Sequence, residues 1–371
     1  MRPTQNVHAS RGIGTVVRNL VREVGLRDDL SYHFFLVGSD SDLPYLSAHQ
    51  RRIHCYRFSR FHQFNWIVNQ LLVPRLLKHH AVDVFFATDF QSYIIPPQGI
   101  KQVAIAYDLI PFLFPETMAG LPRLARLGLR VNFRNLCCSH RIVSISEATK
   151  RDLTRLLGIP PEKILVVYLG LDHTLFNLEN AAKPMNNRYG AIGDYFLYVG
   201  DPEWQKNLRG VLEAFSGILD HVKLVIAGKL APHDIKLKQW LVETNTLNRV
   251  VLPGYVPDDD LPCLYGHAVG FVLTSRYEGF GLPVAEAMVC GCPVITSHNS
   301  SLPEVAGNTA IYIDPEQSED VREAMISLLQ DAGKRNVLRN IGLVQVKRFT
   351  WDKFGREVQA ALSEAYSNAP A

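Results

Sequence analysis

The feature that most constrains the fold is an alternation of short apolar segments with helical patterns, which occurs in both halves of the chain. In the first half these segments are YHFFLVG (32–38), DVFFAT (83–88), QVAIAYDL (102–109) and HRIVSIS (140–146). In the second half they are DYFLYVG (194–200), VKLVIAG (222–228), RVVLPGY (249–255), AVGFVLTS (268–275) and PVITS (293–297). Short apolar strands separated by helices are typical of a parallel sheet covered on both faces. The sequence therefore predicts an α/β protein with two doubly wound domains.

The segment between the two halves, ENAAKPMNNRYGAIG (179–193), has the Asn, Pro and Gly content of a linker and no sustained apolar period. We therefore expect an N-terminal domain over 1–178, a linker over 179–193 and a C-terminal domain over 194–348. Apolar residues recur at helical spacing in the last segment, 349–371, which follows a domain that is already complete. We expect this segment to be a helix that packs back on the N-terminal domain.

Composition and charge narrow the class of protein. Apolar residues make up 47% and charged residues 20% of the chain, as in ordinary globular proteins, and no apolar run is long enough to span a membrane. The six cysteines form no CxxC pair and the N-terminus has no apolar signal segment, which favours the cytoplasm.

Residues 1–180 carry 21 Lys and Arg against 14 Asp and Glu, and residues 181–371 carry 18 against 22, so the halves have net charges of +7 and −4. A basic half suits nucleic acid, anionic lipid or a phosphorylated acceptor. No nucleic-acid-binding motif accompanies it, so we expect no nucleic acid partner.

The stretch TSRYEGFGLPVAEAMVCGCPVITS carries the strongest chemical signal, with Glu278 and Glu286 eight positions apart. It follows an apolar strand, and Gly279 and Gly281 allow a sharp turn before Pro283 opens a helix. A helix start offers N–H groups to an anion, and carboxylates at this edge of a sheet accept hydrogen bonds from sugar hydroxyls. The alternative is that Glu278 is a solvated loop residue and Glu286 a charge favoured by the helix dipole.

This pattern resembles the E-x7-E signature of retaining glycosyltransferases with the GT-B fold, and EGFGLPVAEAMVCGCPVITS with SLPEVAG is similar to glycosyltransferase family 4. The resemblance extends, in order, over SRGIGTVVRNL (10–20), AYDLIPFLFPE (106–116), ISEATKRDL (145–153), VGDPEWQKNLRGVLEAF (199–215) and GYVPDDDLPCLYGHA (254–268). It implies two Rossmann-like domains facing each other across a cleft. It also implies a metal-independent, retaining hexosyltransferase without a cofactor, which uses a nucleotide sugar and a saccharide acceptor.

By this resemblance Glu278 is a catalytic residue that contacts the donor sugar, and Glu286 holds the ribose. The remaining donor-binding positions on this side are Tyr255, Val256, Gly279, Phe280, Gly281 and Leu282. No carboxylate is placed as a covalent nucleophile, and the resemblance implies a reaction on one face of the sugar in which the donor phosphate takes the proton of the acceptor.

Lys206 follows a strand that ends at Gly200, and the resemblance assigns its ammonium to the leaving diphosphate. A departing diphosphate needs a cation where no metal is bound. Without the resemblance, a solvated lysine beside a helix start is the alternative. Asp201 and Gln205 depart from relatives that carry an arginine nearby, and Arg209 is our candidate for the missing phosphate contact.

Gly12 and Gly14 open a helical pattern near the start, which suits a backbone turn passing close to a phosphate or sugar. The eleven residues before Gly12 contain no strand-like run, although a Rossmann-like domain has its first strand just before that turn. Either the first strand is missing or the domain is built without it.

Asp108 stands at the carboxyl end of an apolar strand in AYDLIP, where we expect it to position substrate or to cap a turn. Many relatives have His-Asp here, whereas this chain has Tyr107 in place of the histidine. A phenol donates a hydrogen bond but does not act as a base near neutral pH. We therefore expect Tyr107 to replace the histidine only by donating a hydrogen bond to the acceptor saccharide.

Two charged groups need an interpretation. Asp258, Asp259 and Asp260 precede the helical pattern LPCLYGHA, so we assign them to a helix start rather than to a metal site. On a helix, the cations Arg123, Arg126, Arg130 and Arg134 line one face, and Leu124, Leu127 and Val131 line another. Such a helix is either a solvated face or, together with RRIHCYRFSRF (51–61), a contact with anionic lipid.

The combination of SRGIG, YDLIPFLFPE and EGFGLPVAEAM resembles bacterial mannosyltransferases of surface or exported polysaccharide synthesis. It implies GDP-mannose as donor, a lipid-linked acceptor and a place on the inner face of the cytoplasmic membrane. A UDP-sugar donor and a non-catalytic nucleotide-sugar-binding homologue remain as alternatives.

Overall fold

The computed structural model describes residues 13–23, 33–37, 52–56, 65–186, 189, 192–228 and 235–367. The chain divides into two compact units, of which unit 1 comprises residues 1–170 and 351–371 and unit 2 comprises residues 171–350. The division therefore precedes the expected linker. Residues of the expected linker belong to unit 2, where Asn177 accepts a hydrogen bond from Asn180 N at 2.8 Å and caps helix α6 (Leu178–Ala181). Asn180, the first asparagine of the expected linker, therefore lies inside this helix.

Unit 1 contains two parallel sheets. Strands β1 (His33–Val37) and β2 (Arg52–Tyr56) pair with each other. Strands β3 (Val84–Ala87), β4 (Lys101–Ala106), β5 (Arg141–Ser144) and β6 (Ile164–Val166) form a sheet in that order. Four of these six strands lie within the apolar segments named above, and the predicted parallel α/β arrangement is confirmed. Strand β2 lies in the basic segment 51–61 and β6 has only three residues, so neither carried an apolar signal strong enough to be recognised.

The helices of unit 1 are α1 (Ile13–Glu23), α2 (Asn65–His79), α3 (Ile110–Leu113), α4 (Arg123–Leu136) and α5 (Glu147–Leu157), with 3₁₀ turns at Pro115–Met118 and Pro161–Lys163. Ser146 caps the N-terminus of helix α5, since its side chain accepts a hydrogen bond from Thr149 N. Gly158 caps the C-terminus in the left-handed region. The core joins β4 and β5 to α4 through Ala104, Ile142, Phe133 and Leu136.

The C-terminal helix α14 (Trp351–Ser367) belongs to unit 1 and packs against α1 and strands β3, β4 and β5. Its buried face carries Trp351, Phe354, Val358 and Ala361. At Gly355 it crosses α1 so closely that a Cβ atom would lie 2.6 Å from the Cβ of Glu23. The chain thus returns to unit 1 after completing unit 2.

Unit 2 is built on one six-stranded parallel sheet. Its strands are β7 (Tyr195–Val199), β8 (Lys223–Ala227), β9 (Val250–Gly254), β10 (Gly270–Leu273), β11 (Val294–Ser297) and β12 (Ala310–Ile313). The spatial order is β12-β11-β10-β7-β8-β9, so the chain builds one half of the sheet outward from β7 and the other outward from β10. This is the Rossmann order, and ligands of such sheets bind where the order reverses, at the carboxyl ends of the two central strands.

The helices of unit 2 follow these strands. After α6 they are α7 (Leu208–Ser216), α8 (Ile235–Glu243), α9 (Leu261–His267), α10 (Leu282–Val289), α11 (Leu302–Ala306), α12 (Ser318–Gln330) and α13 (Ala332–Gln345), with 3₁₀ turns at Trp204–Lys206, Asp258–Asp260 and Val346–Arg348. No helix within the described residues is long and apolar enough to cross a membrane. The strand order therefore directs attention to the loops after β7 and β10.

Candidate functional site

Two residues named from the sequence meet at the reversal of strand order in unit 2. Lys206 ends the 3₁₀ turn after β7, and Glu278 lies in the loop after β10. Lys206 Nζ donates to Glu278 Oε1 at 3.1 Å, and their side chains are 18% and 14% exposed. The structure thus brings the predicted phosphate-binding cation and the predicted sugar-binding carboxylate into one ion pair.

Hydroxyl groups on both sides fix the loop that carries Glu278. Ser275 Oγ donates to the same Oε1 atom at 2.8 Å, and the amide of Glu278 donates to Ser300 Oγ at 3.0 Å. Ser301 Oγ lies 2.9 Å from the carbonyl oxygens of both Glu278 and Phe280. Sequence reasoning assigned no role to these serines, although Ser301 is the first residue of SLPEVAG and Ser300 directly precedes it.

The electrostatics of the pair keep Lys206 charged. Burial alone would lower the pKa of its ammonium, but Glu278 and, more weakly, Glu203 and Asp201 outweigh burial, so the pKa is raised above its ordinary value. Stability contributed by this pair is therefore complete below the unfolded-state pKa of Lys206 and is lost only at strongly alkaline pH. Asp201 supplies part of this negative potential.

The glycine turn predicted after Glu278 is present. Gly281 adopts φ 98° at the N-cap of α10, and a Cβ there would lie 2.8 Å from Leu302 Cδ2. Phe280 is buried with its ring 5.4 Å from the ring of Phe349, so its side chain belongs to the core and only its backbone is placed for a ligand. Gly279 and Leu282 flank this turn and are half-buried.

Glu286 lies on α10 and makes its own contact, because Tyr265 Oη donates to Glu286 Oε2 at 3.1 Å. In the loop after β9, Tyr255 is 44% exposed, whereas Val256 is fully buried. The exposed Tyr255 ring suits a ligand contact, and Val256 can offer only its backbone. The donor roles of all three stay predictions.

Arg209 is oriented away from the Lys206–Glu278 pair by its own partners. Its guanidinium lies 2.9 Å from Glu213 and 3.4 Å from Glu243, and its side chain is 54% exposed. A phosphate contact at Arg209 would have to compete with both carboxylates.

Asp258, Asp259 and Asp260 form the 3₁₀ turn before α9, where Asp260 accepts a hydrogen bond from Tyr189 at 2.8 Å.

In unit 1, Tyr107 and Asp108 follow β4. Tyr107 is buried and its hydroxyl donates to the carbonyl of Thr88 at 3.0 Å. Burial, and then Asp89, raise the pKa of this phenol well above its ordinary value, so it is neutral. Asp108 Oδ1 accepts from Ile110 N at 3.0 Å, which is the turn cap named above as the alternative. The hydroxyl of Tyr107 is thus already engaged with the backbone, which weighs against the predicted donation to an acceptor.

Near the start of unit 1, Gly14 is buried in the first turn of α1, and Gly12 lies outside the described residues.

The basic helix predicted from its arginine spacing is α4. Arg123, Arg130 and Arg134 are exposed, and Arg126 is half-buried. Leu127, which the residue spacing places on a different face from the arginines, is 52% exposed. The buried face consists instead of Gly128, Asn132, Phe133, Asn135 and Leu136. Gly128 faces inward because Trp66 packs directly on it, and a Cβ there would lie 2.5 Å from the ring. Asn135 faces inward and donates to Gln70 Oε1 at 2.7 Å.

Tyr198 is a buried group near the ion pair that sequence reasoning missed. It precedes Gly200 on β7, is fully buried, and its hydroxyl has no hydrogen-bond partner among the described residues. Burial, followed by Glu278, Glu203 and Asp201, raises the pKa of this phenol well above its ordinary value. Its tyrosine neighbour Tyr195 donates to Leu264 O at 2.8 Å. No periodicity in YFLYV distinguishes the two hydroxyls.

Models of known protein families match residues in both units. The model of glycosyl transferases group 1 matches residues 192–343, and that of Glycosyltransferase Family 4 matches residues 10–175. The chain is 36% identical over 290 residues to the O-antigen chain mannosyltransferase B of Escherichia coli, covering 74% of this chain and 75% of that protein. It is 27% identical over 280 residues to the serotype-specific mannosyltransferase WbdA of Escherichia coli, covering 72% of this chain but only 34% of that longer protein.

A solved structure agrees with the fold. The crystal structure of Anabaena HepE in complex with UDP and glucose superposes with a TM-score of 0.75 at 17% identity, covering 95% of this chain and 96% of that one. At this identity the likeness establishes the fold, which is GT-B.

The two tyrosines of β7 give a matched test of the unpartnered hydroxyl. Tyr198→Phe removes a desolvated hydroxyl that makes no hydrogen bond to any described residue, so we expect the free energy of unfolding to stay unchanged or to rise by up to about 1 kcal/mol. Tyr195→Phe removes a hydrogen bond and leaves a buried carbonyl, so we expect a loss of about 1–2 kcal/mol. Urea unfolding of both variants measures the difference. Equal destabilisation by the two variants would show that Tyr198 has a partner in the folded protein.

Proposed function

The chain belongs to the glycosyl transferases of group 1, and from this membership we propose that it moves mannose from GDP-mannose to a saccharide acceptor carried on a lipid. The observation that carries the proposal is the ion pair of Lys206 and Glu278 at the reversal of strand order. The choice of mannose is supported by the names of the two Escherichia coli relatives, both mannosyltransferases. The choice of a polysaccharide acceptor follows the first of them, an O-antigen chain enzyme.

In the proposed reaction Lys206 and Glu278 have different roles. The acceptor oxygen forms its bond to the anomeric carbon as the bond from that carbon to the phosphate oxygen breaks. The acceptor proton passes to a phosphate oxygen and the nucleoside diphosphate leaves. Attack and departure occur on one face of the sugar, so the anomeric configuration is retained. Lys206 neutralises the departing diphosphate, which a fixed cation in a desolvated site does effectively.

Glu278 and Lys206 exchange partners in this proposal. When the diphosphate reaches Lys206, the carboxylate of Glu278 is released to accept hydrogen bonds from hydroxyls of the donor sugar. Ser275 and the backbone contacts of Ser300 and Ser301 hold the loop in place during the exchange. The amides at the N-terminus of α10 contact the phosphates, and Glu286 holds the ribose.

A donor panel tests the proposed function. Purified protein is incubated with GDP-mannose, UDP-glucose and UDP-galactose, each with a mannose-terminated oligosaccharide, and nucleotide release and product are measured with and without EDTA. We expect GDP-mannose alone to give product, at a rate that EDTA leaves unchanged. Transfer from a UDP-sugar would overturn the donor assignment. Loss of transfer in EDTA with recovery in Mg²⁺ or Mn²⁺ would overturn the metal-independent mechanism.

Substitution of the two glutamates separates their roles. A contact that strengthens only in the transition state appears in kcat, whereas one made equally in the ground state appears in KM. We expect Glu278→Gln to lower kcat at least about tenfold, roughly 1.4 kcal/mol of barrier, with a modest change in KM. We expect Glu286→Gln mainly to raise the donor KM. Glu323→Gln, an exposed carboxylate on α12, is the control, and thermal melting checks folding. Parent rates for Glu278→Gln would remove this loop from the donor site.

The exposed face of α4 supports attachment to an anionic membrane surface. Its cations Arg123, Arg130 and Arg134 are exposed, as are the side chains of Leu127 on the same helix and of Leu121 two residues before the helix. Cations paired with exposed apolar groups are typical of helices that lie in a lipid interface.

Charge reversal on this face tests the attachment. Each cation near such a surface contributes about 1 kcal/mol, so Arg123→Glu, Arg130→Glu and Arg134→Glu together should weaken binding to vesicles with anionic lipid on the order of a hundredfold at low salt. The control combines Arg75→Glu, Lys78→Glu and Arg151→Glu, which changes the net charge of unit 1 equally at other exposed positions. Vesicle co-sedimentation measures both. Equal loss in the two triple variants would show an effect of net charge and not of this face.

A further inference from the structure

Unit 2 carries a cavity whose lining includes neither Lys206 nor Glu278. Its volume is about 320 Å³, and it lies between the 3₁₀ turn after β7 and helices α7 and α8. We call it the tryptophan pocket, because Trp204 and Trp240 both line it. The volume falls at the lower end of the range for small-ligand sites.

Trp204 is held rigidly although its side chain is 47% exposed. The guanidinium of Arg276 lies 4.7 Å from the centre of its ring and donates to its carbonyl oxygen at 3.0 Å. Arg276 is itself fixed by Glu316 through hydrogen bonds of 2.6 and 3.0 Å. A large aromatic surface is thus presented in one orientation before any ligand arrives, which lowers the entropic cost of binding.

Trp240 is arranged in a similar way on the other side of the pocket. The ammonium of Lys236 lies 5.0 Å from the centre of its ring. A cation therefore lies over each indole, and such contacts are attractive because the ring face is electron-rich. The pocket is built from two oriented rings rather than from loosely placed apolar side chains.

The polar groups of the tryptophan pocket are of both signs. Glu203 and Glu213 supply carboxylates, and Arg209, Lys236 and Arg276 supply cations. Glu213 is paired with Arg209 at 2.9 Å. A phosphate or a nucleic acid would meet the carboxylates, so this rim does not favour an anion.

A neutral saccharide fits these groups. Its ring has an apolar face of C–H groups that packs on an indole, and its hydroxyls both donate and accept hydrogen bonds. Carboxylates accept from such hydroxyls while guanidinium and ammonium groups donate to them. We infer that the tryptophan pocket binds the saccharide chain of the acceptor, away from its reacting end. This inference rests on the proposed function, since that function supplies a polymer of sugars.

Such a site affects long acceptors only. Holding the chain at a second point raises the effective concentration of its reacting end, so it lowers the acceptor KM without touching the chemical step. A disaccharide cannot occupy both places and gains nothing.

Saccharide binding without donor tests the inference. Tryptophan fluorescence and calorimetry measure binding of a mannose disaccharide and a mannose hexasaccharide to the full chain and its variants. We expect Trp204→Ala to weaken hexasaccharide binding at least fivefold, Trp204→Phe to restore part of it, and Trp240→Ala to weaken it independently. Tyr366→Ala, which removes an aromatic ring of 46% exposure in unit 1, should bind as the parent does. Glu278→Gln should also bind as the parent does.

Kinetics complete the test. Trp204→Ala should raise KM for the hexasaccharide and leave kcat and the disaccharide KM unchanged. Unchanged hexasaccharide affinity in Trp204→Ala, loss of that affinity in Glu278→Gln, or displacement of the saccharide by GDP would overturn the inference. If the parent transfers no sugar but Trp204-dependent hexasaccharide binding is observed, the proposed function fails and the pocket stands.

Discussion

The reversal of strand order between β7 and β10 is the constraint on which the site depends. Both strands point the same way, but the chain leaves them toward different neighbours, since α7 packs against α12 whereas α10 packs against α9, α11 and α13. The two loops therefore separate at the sheet edge and leave room for side chains between them. Lys206 and Glu278, separated by 72 residues in sequence, meet in that space.

The Lys206–Glu278 ion pair balances an unfavourable burial against a favourable attraction. Burial of both side chains is unfavourable, and the pair recovers this cost only through its mutual attraction and the hydrogen bond from Ser275. Removing one partner alone would leave a poorly solvated charge. In the proposed reaction, a diphosphate at Lys206 and a sugar hydroxyl at Glu278 would replace both halves of the pair together. The proposal therefore implies that a complete donor binds better than either of its parts.

The sequence predicted the sheet edge better than the contacts made there. Parallel strands such as DYFLYVG and VKLVIAG are apolar throughout, because both faces are covered, so their positions could be recognised within one or two residues. The glycine turn at Gly281 was also recognisable, because its conformation demands glycine. The engagement of Tyr107 with Thr88, the exposure of Leu127 and the unpartnered Tyr198 were not predictable. Each depends on the packing of elements distant in sequence, which periodicity does not encode.

The short turn Trp204–Lys206 connects the ion pair and the tryptophan pocket. Successive side chains of a 3₁₀ helix diverge by about 120°, so the first and third residues of such a turn point to different sides. Lys206 accordingly reaches Glu278, while Trp204 faces the pocket. Asn207 ends the turn at φ 52° and donates to the carbonyl of Pro315 at 2.6 Å, which lets α7 start in a new direction. Asparagine tolerates the left-handed region better than other side chains with a Cβ. Asn207 therefore lies directly after the turn that carries both the cation and the indole, at the point where the chain enters α7.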